Sequence, residues 1–333
     1  MLILWIFVFI ISLFALIKGA DWFVESSEKV GLALKVSPFI IGVTIVAIGT
    51  SLPELASSIA AVLKGESEIV TANVIGSNIA NILLIIGLSA VAAGRLAVQR
   101  SLIDVDLPLL SAVTVLFGFI ILDGKIFWQE SILLIASFLI YLFYTVAQRS
   151  EIPENPLPEE LVPGETIEVL PSRVERRKTK KPIEKLNFKV FIFLIIGIIF
   201  LVFGSDFLIE SVVKLSEILK VGTSVISILG VAVGTSLPEL MVSVRAALQK
   251  KYEIALGNIF GSNVFNCLMV LGLPALIKTL IVDNLTLNVG FPFMVVATVL
   301  LVFSGITRRI SKWEGLMFLL IYVLFVIKLF GLF

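Results

Sequence analysis

The sequence predicts an all-α membrane protein of ten transmembrane helices, arranged as two inverted five-helix repeats with broken helices at the centre. Three observations carry that prediction. Hydrophobic residues make up 58% of the 333 and mean hydropathy is +1.09, more apolar surface than a water-soluble domain can hide. The apolar residues fall in long continuous runs. One signature also occurs twice, at a fixed separation along the chain.

A helix needs roughly 20 mostly apolar residues to cross about 30 Å of hydrocarbon. Five runs of that kind precede residue 150, around 2–20, 38–63, 69–93, 104–122 and 126–147. Five more lie around 188–208, 223–248, 253–277, 289–306 and 313–332. A transmembrane barrel would instead show short alternating segments. The first run opens Met1-Leu2-Ile3 without a basic residue and ends at no clean small-x-small site, so it reads as a span and not as a signal peptide.

The duplication holds an offset of 185 residues. Gly49-Thr50-Ser51-Leu52-Pro53-Glu54-Leu55 returns letter for letter as Gly234-Thr235-Ser236-Leu237-Pro238-Glu239-Leu240. Asn73-Val74-Ile75-Gly76-Ser77-Asn78 returns as Asn258-Ile259-Phe260-Gly261-Ser262-Asn263, and Gly19, Asp21 and Glu25 match Gly204, Asp206 and Glu210. Five spans per half force the second half to enter from the opposite side, the inverted architecture of many secondary transporters. The chain therefore divides into a first repeat, 1–149, a linker, 150–187, and a second repeat, 188–333. The linker is acidic first (Glu151 to Glu168), basic later (Arg173 to Lys181) and holds six prolines, which reads as a disordered tether. Its basic stretch could alternatively meet lipid or regulate.

Lys and Arg in the loops set the orientation. With the linker in the cytoplasm and the N-terminus outside, nineteen basic residues face the cytoplasm and six face out. A multi-pass protein of the plasma membrane is expected, with the lipid bilayer around it. No basic stripe suggests nucleic acid, and no protein partner can be inferred. One cysteine, Cys267, excludes an intrachain disulfide and a cysteine metal cluster. The absence of histidine removes histidine zinc sites, Ser-His-Asp triads and histidine relays. No catalytic residue and no cofactor is expected; the chain does not read as an enzyme.

Glu54 and Glu239 sit well inside apolar spans, where a charge costs about 2.5–3.5 kcal/mol on the mildest scale. Neither span offers a nearby basic residue, so each carboxylate must be protonated, meet water or bind a cation. Ala47, Thr50, Ser51 and Glu54 fall at i, i+3, i+4 and i+7 on one helix face, and Ala232, Thr235, Ser236 and Glu239 repeat it. Ser77 and Asn81 share a face at i, i+4, as do Ser262 and Asn266. All the polar groups offer oxygen, which suits Ca²⁺, Na⁺ or Mg²⁺; Ca²⁺ takes about 6–8 oxygens. Pro53 and Pro238 lack an N–H, which frees the carbonyls of Gly49 and Gly234 and predicts a helix break at each pair. Asp21, Asp206, Glu25 and Glu210 lie toward the ends of their spans and either mark the water interface or line an ion path. Gly76 and Gly261 are expected to allow close helix packing.

At these residues the chain resembles the cation/calcium exchanger superfamily, in its prokaryotic sodium/calcium exchanger branch. The paired Gly-Thr-Ser-Leu-Pro-Glu and Gly-Ser-Asn segments are similar to that family's signature repeats, and the resemblance extends over all ten spans. It implies antiport of Na⁺ against Ca²⁺ by alternating access, with spans 1 and 6 sliding past the rest. Carried over by position, Glu54, Glu239 and the Thr50 and Thr235 carbonyls would hold Ca²⁺. Na⁺ would use the Ala47 and Ala232 carbonyls, Ser51, Ser77, Ser236, Ser262 and the two glutamates, with Asn81 and Asn266 lining the cluster. Asn266 stands where some members carry an aspartate, which argues against K⁺ coupling. A proton-driven Ca²⁺ antiporter stays open as an alternative, because a buried glutamate can titrate near neutral pH. A passive cation channel fits two oppositely inserted halves less well.

Overall fold

The computed structural model describes residues 2–34, 36–98, 106–147, 187–218, 236–329 and 331. The linker at 150–186 and the start of the seventh span, with Ala232, Gly234 and Thr235, lie outside the described residues. Ten helical segments follow in order: α1 Leu2–Ala33, α2 Pro38–Lys64, α3 Ser67–Ala93, α4 Leu107–Asp123, α5 Trp128–Ala147, α6 Phe188–Ile218, α7 Leu237–Leu248, α8 Tyr252–Ile277, α9 Thr286–Ile306 and α10 Lys312–Leu329. Seven of them (α1, α2, α3, α5, α6, α8 and α9) are long and apolar enough to cross a membrane. Large side chains such as Ile3, Phe119, Phe143, Phe188 and Phe303 are exposed, a surface that suits acyl chains and not water.

Two short antiparallel ladders tie the halves together. β1 (Arg95–Ala97) pairs with β4 (Arg309–Ser311), with Arg95 opposite Ser311 and Leu96 opposite Ile310. β2 (Lys125–Ile126) pairs with β3 (Leu280–Ile281), with Lys125 opposite Ile281 and Ile126 opposite Leu280. Shifting each residue of the Arg95–Ser311 pair by 185 into the other half gives Leu280 and Ile126, a pair of the second ladder. A two-fold relation between the halves has this consequence. β1 follows α3 and β2 follows α4, one span apart, so the ladders close opposite ends of the molecule.

The repeat extends to the helix ends. α2 stops at Gly65, whose φ of 91° permits its N–H to reach the Val62 carbonyl while Glu66 reaches Ala61. The same two bonds recur at Lys250 and Lys251, but there a lysine occupies the left-handed position, at φ 60°. A side chain there costs about 1 kcal/mol. Lys250→Gly is therefore expected to stabilise the protein by about that amount, read as a higher melting temperature in detergent.

Packing separates a centre from a periphery. α3 and α8 are buried over most of their length, whereas α1 and α6 expose most of their surface. α1 and α6 run along each other through small residues. A Cβ added at Gly19 would fall 2.8 Å from Phe200 Cβ, and one at Gly197 would fall 2.9 Å from the Phe23 backbone N.

Three expectations need correction. α1 and α6 do not end near 20 and 208 but run on to Ala33 and Ile218. Asp21, Glu25, Asp206 and Glu210 thus sit within helices, and on α1 Lys29 pairs with Glu25 one turn away. In the first half there is no helix break at Gly49 and Pro53. α2 stays helical through Pro53, and its irregularity is a widened turn one step earlier, at Gly42–Val46. Gly49 instead makes room for a neighbour, since a Cβ there would lie 2.7 Å from Phe23 Cζ. In the second half Pro238 lies in the first turn of α7, and Gly234, the other member of the expected break, lies outside the described residues.

Candidate cation site at the repeat interface

α2, α3, α7 and α8 converge where the two signatures meet. The wide turns Ala80–Ile86 and Asn266–Val270 mark corresponding places on α3 and α8, and such turns concentrate at functional sites. Ala47, Thr50, Ser51, Glu54, Ser77, Asn81, Ser236, Glu239, Ser262 and Asn266 are all buried there, none more than 4% exposed. Their helices present each of them inward, as the i, i+3, i+4, i+7 spacing requires.

Hydrogen bonds across the interface obey the same two-fold relation. Ser51 Oγ lies 3.0 Å from Ser262 Oγ, and the counterpart pair Ser236 Oγ and Ser77 Oγ lies at 3.2 Å. Asn81 Nδ2 donates to Asn263 Oδ1 at 3.4 Å, and Asn266 Nδ2 donates to Asn78 Oδ1 at 3.3 Å. Asn78 Nδ2 also donates to the Asn263 carbonyl at 3.2 Å and to Cys267 Sγ at 2.9 Å. This serine–asparagine lattice fixes α3 and α8 against each other and against α2.

Ser51 Oγ donates to Glu239 Oε1 at 2.8 Å, and among the described residues, which exclude Thr235, both oxygens of Glu54 and Oε2 of Glu239 have no hydrogen-bond partner. The side-chain oxygens of Asn81 and Asn266 are also unpartnered. Ser51, one turn before Glu54 on α2, is the residue that reaches Glu239, which brings the two acids into one cluster. The nearest-numbered cation on α7, Arg245, is committed to Asp21 on α1 with Nε–Oδ1 and Nη2–Oδ2 distances of 2.8 Å. Two acids therefore sit in the buried centre with no basic partner among the described residues, and five side-chain oxygens there, three of them the acids' own, have no donor among those residues. Unpaired buried carboxylates cost several kcal/mol unless something neutralises them.

Other expectations resolve as follows. Gly261 does serve packing: a Cβ there would fall 2.3 Å from the Val43 carbonyl oxygen and 2.5 Å from Ala47 Cβ. Gly76 has no described atom within 4 Å of such a Cβ. Asp21 belongs to an ion pair, while Asp206 and Glu210 are exposed.

Comparison with known proteins agrees with this geometry. The family model described as sodium/calcium exchanger protein matches residues 4–147 and 189–331. The chain belongs to that family. Within it, this exchanger-family chain is 32% identical to sodium/calcium exchanger MaX1 of Methanosarcina acetivorans, over 97% of both chains. It is 29% identical to inner membrane protein YrbG of Escherichia coli, over 92% of this chain and 89% of the relative. Among solved structures it is similar to the sodium-calcium exchanger NCX_Mj soaked with neither Na⁺ nor Ca²⁺, at TM-score 0.80 and 31% identity over 99% of this chain and 100% of the other. This exchanger-family chain is accordingly a multi-pass membrane protein with an inverted-repeat helical fold, and no enzyme.

Several participants escaped the site reading. Asn78 and Asn263 were visible only as motif letters, yet they lie on the interface axis. Asn258 accepts from Thr50 Oγ1 at 3.1 Å and donates to Ser243 Oγ at 2.9 Å, joining α8 to both acid-bearing helices. The usable signal was the repetition of all three asparagines at the 185-residue offset.

Proposed function

We propose that the chain exchanges Na⁺ for Ca²⁺ across a membrane by alternating access. One observation carries the reading: Glu54 and Glu239, one from each half, meet in the buried centre with three carboxylate oxygens unpartnered and no basic side chain to neutralise them among the described residues. Two negative charges match one Ca²⁺ or a set of Na⁺ ions. The glutamates supply up to four oxygens, and the Thr50 and Thr235 carbonyls would complete a set of six, the lower limit for Ca²⁺. Na⁺ would take the Ala47 and Ala232 carbonyls with Ser51, Ser77, Ser236, Ser262 and the same glutamates. Asn81 and Asn266 would line the cluster. Sharing the glutamates makes the two ion sets compete, and exchange follows from that competition. The printed names of MaX1 and NCX_Mj, both sodium/calcium exchangers, support the same substrates.

The organisation proposed with it is a repeat at 1–149, a cytoplasmic tether at 150–187 and a repeat at 188–333 in the plasma membrane, N-terminus outside. The two family-model matches, 4–147 and 189–331, support the partition. The joining of the basic loops at β1–β4 supports the sidedness, since Arg95, Arg308 and Arg309 then share one face.

Sealed vesicles containing the purified chain, loaded with Na⁺ and supplied with ⁴⁵Ca²⁺, test the reading. Uptake is expected to require the outward Na⁺ gradient. Uptake that ignores sodium and follows a pH gradient would assign proton antiport instead. Ser51→Ala removes the donor to Glu239 and is expected to weaken apparent Ca²⁺ or Na⁺ affinity about tenfold, in line with about 1.5 kcal/mol for a hydrogen bond to a charged group. Unaltered affinities for both ions would remove Ser51 from the site.

A further inference from the structure

Away from the central cluster, α1 is fastened to the second repeat by contacts that have no sequence counterpart on α6. Arg245 of α7 grips Asp21 through both Nε and Nη2, and Gln249, one turn on, adds Nε2 to Oδ1 at 3.0 Å. Two turns along α1, Glu28 pairs with Lys251 at 2.7 Å. The four ion-paired side chains are only 21–32% exposed. A two-pronged arginine–carboxylate pair also fixes geometry as a point charge does not.

Moving each partner by 185 residues exposes the asymmetry. Asp21 becomes Asp206, so the acid is kept, but Arg245 becomes Ala60, Gln249 becomes Lys64, Lys251 becomes Glu66 and Glu28 becomes Val213. In an inverted-repeat transporter the two access states interchange the conformations of the repeats. A contact of α1 with α7 in one state corresponds to a contact of α6 with α2 in the other. The counterpart of the clasp would lie between α6 and α2, where Ala60 and Lys64 replace the arginine and the glutamine.

We infer that Arg245 is a positioning residue for exchange: by gripping Asp21 with two prongs it favours one of the two access states, while in the opposite state Ala60 and Lys64 offer Asp206 no more than a single point charge. The inference rests on the antiport reading. A contact that favours one state shifts the population by its differential energy, and apparent ion affinity on the two faces shifts with it.

The test measures apparent KM for Ca²⁺ and kcat separately in right-side-out and inside-out vesicles of the full chain. Arg245→Ala is expected to change the ratio of the two KM values about tenfold. Arg245→Lys should restore part of that ratio. Ala60→Arg, which offers Asp206 a two-pronged partner in the opposite state, should move the ratio the same way as Arg245→Ala, and the two together should move it furthest. A wild-type ratio in Arg245→Ala, or equal changes on both faces, overturns the inference while leaving antiport intact. If Arg245→Ala does not fold, Ala60→Arg decides alone, and an unmoved ratio there also overturns it. A wild-type chain without sodium-dependent Ca²⁺ flux would instead refute antiport itself.

Discussion

Glu54→Gln and Glu239→Gln are each expected to abolish calcium-dependent sodium exchange, with apparent Ca²⁺ affinity falling about 100-fold or more, the equivalent of about 2.8 kcal/mol. Glutamine keeps the shape of each side chain and removes one of two charges that no basic residue balances among the described residues. The same change should leave the ion-free protein more stable, because it removes an unpaired buried charge and its desolvation cost. Opposite signs for function and stability separate this from damage to the fold. Melting temperature followed with and without Ca²⁺ reads both. The wild type should gain stability with the ion, as any ligand bound by the native state confers, and the variants should begin higher and gain nothing. Full transport by either variant would disprove the assignment of the two acids.

Gly261→Ala is expected to lower stability by about 3 kcal/mol, the upper part of the range for overpacking. Its new methyl would lie 2.3 Å from the Val43 carbonyl oxygen and 2.5 Å from Ala47 Cβ. The first is backbone in the widened turn of α2, so relief requires the two helices to separate. Separation would carry Ala47 and Glu54, about two turns further along α2, away from α8, so Na⁺ affinity should fall with stability. Gly261→Leu should fail to give a folded protein. Melting temperature and monodispersity in detergent check both, and a Gly261→Ala protein as stable as wild type would mean that α2 and α8 are not held as closely as 2.3 Å implies.

Much of the fold was legible because lipid imposes a simple rule. A chain crossing hydrocarbon must satisfy its own backbone, so long apolar runs become helices and leave few alternatives. Glu54 and Glu239 were legible for the converse reason: a carboxylate in such a run is costly enough to require a purpose. Helix ends at α1 and α6 were not legible. Asp21 and Glu25 look like a boundary in one dimension, but within the helix they pair with Arg245 and Lys29, and Arg245 is 224 residues away. The turn in α2 was misplaced for a related reason. Proline announces a lost hydrogen bond, whereas the widened turn at Gly42–Val46 lies where α2 meets Gly257 and Gly261 of α8, a contact between distant segments.

By itself the sequence determined the helical membrane class, the duplication at 185 residues and the two buried acids, since each depends on residue type and spacing within one segment. Only the tertiary structure decided which oxygens lack a partner among the described residues, that Ser51 serves Glu239 across the interface, and that Arg245 belongs to Asp21 and not to the site. Those facts depend on which side chains from remote segments come within about 3 Å, the range over which hydrogen bonds act.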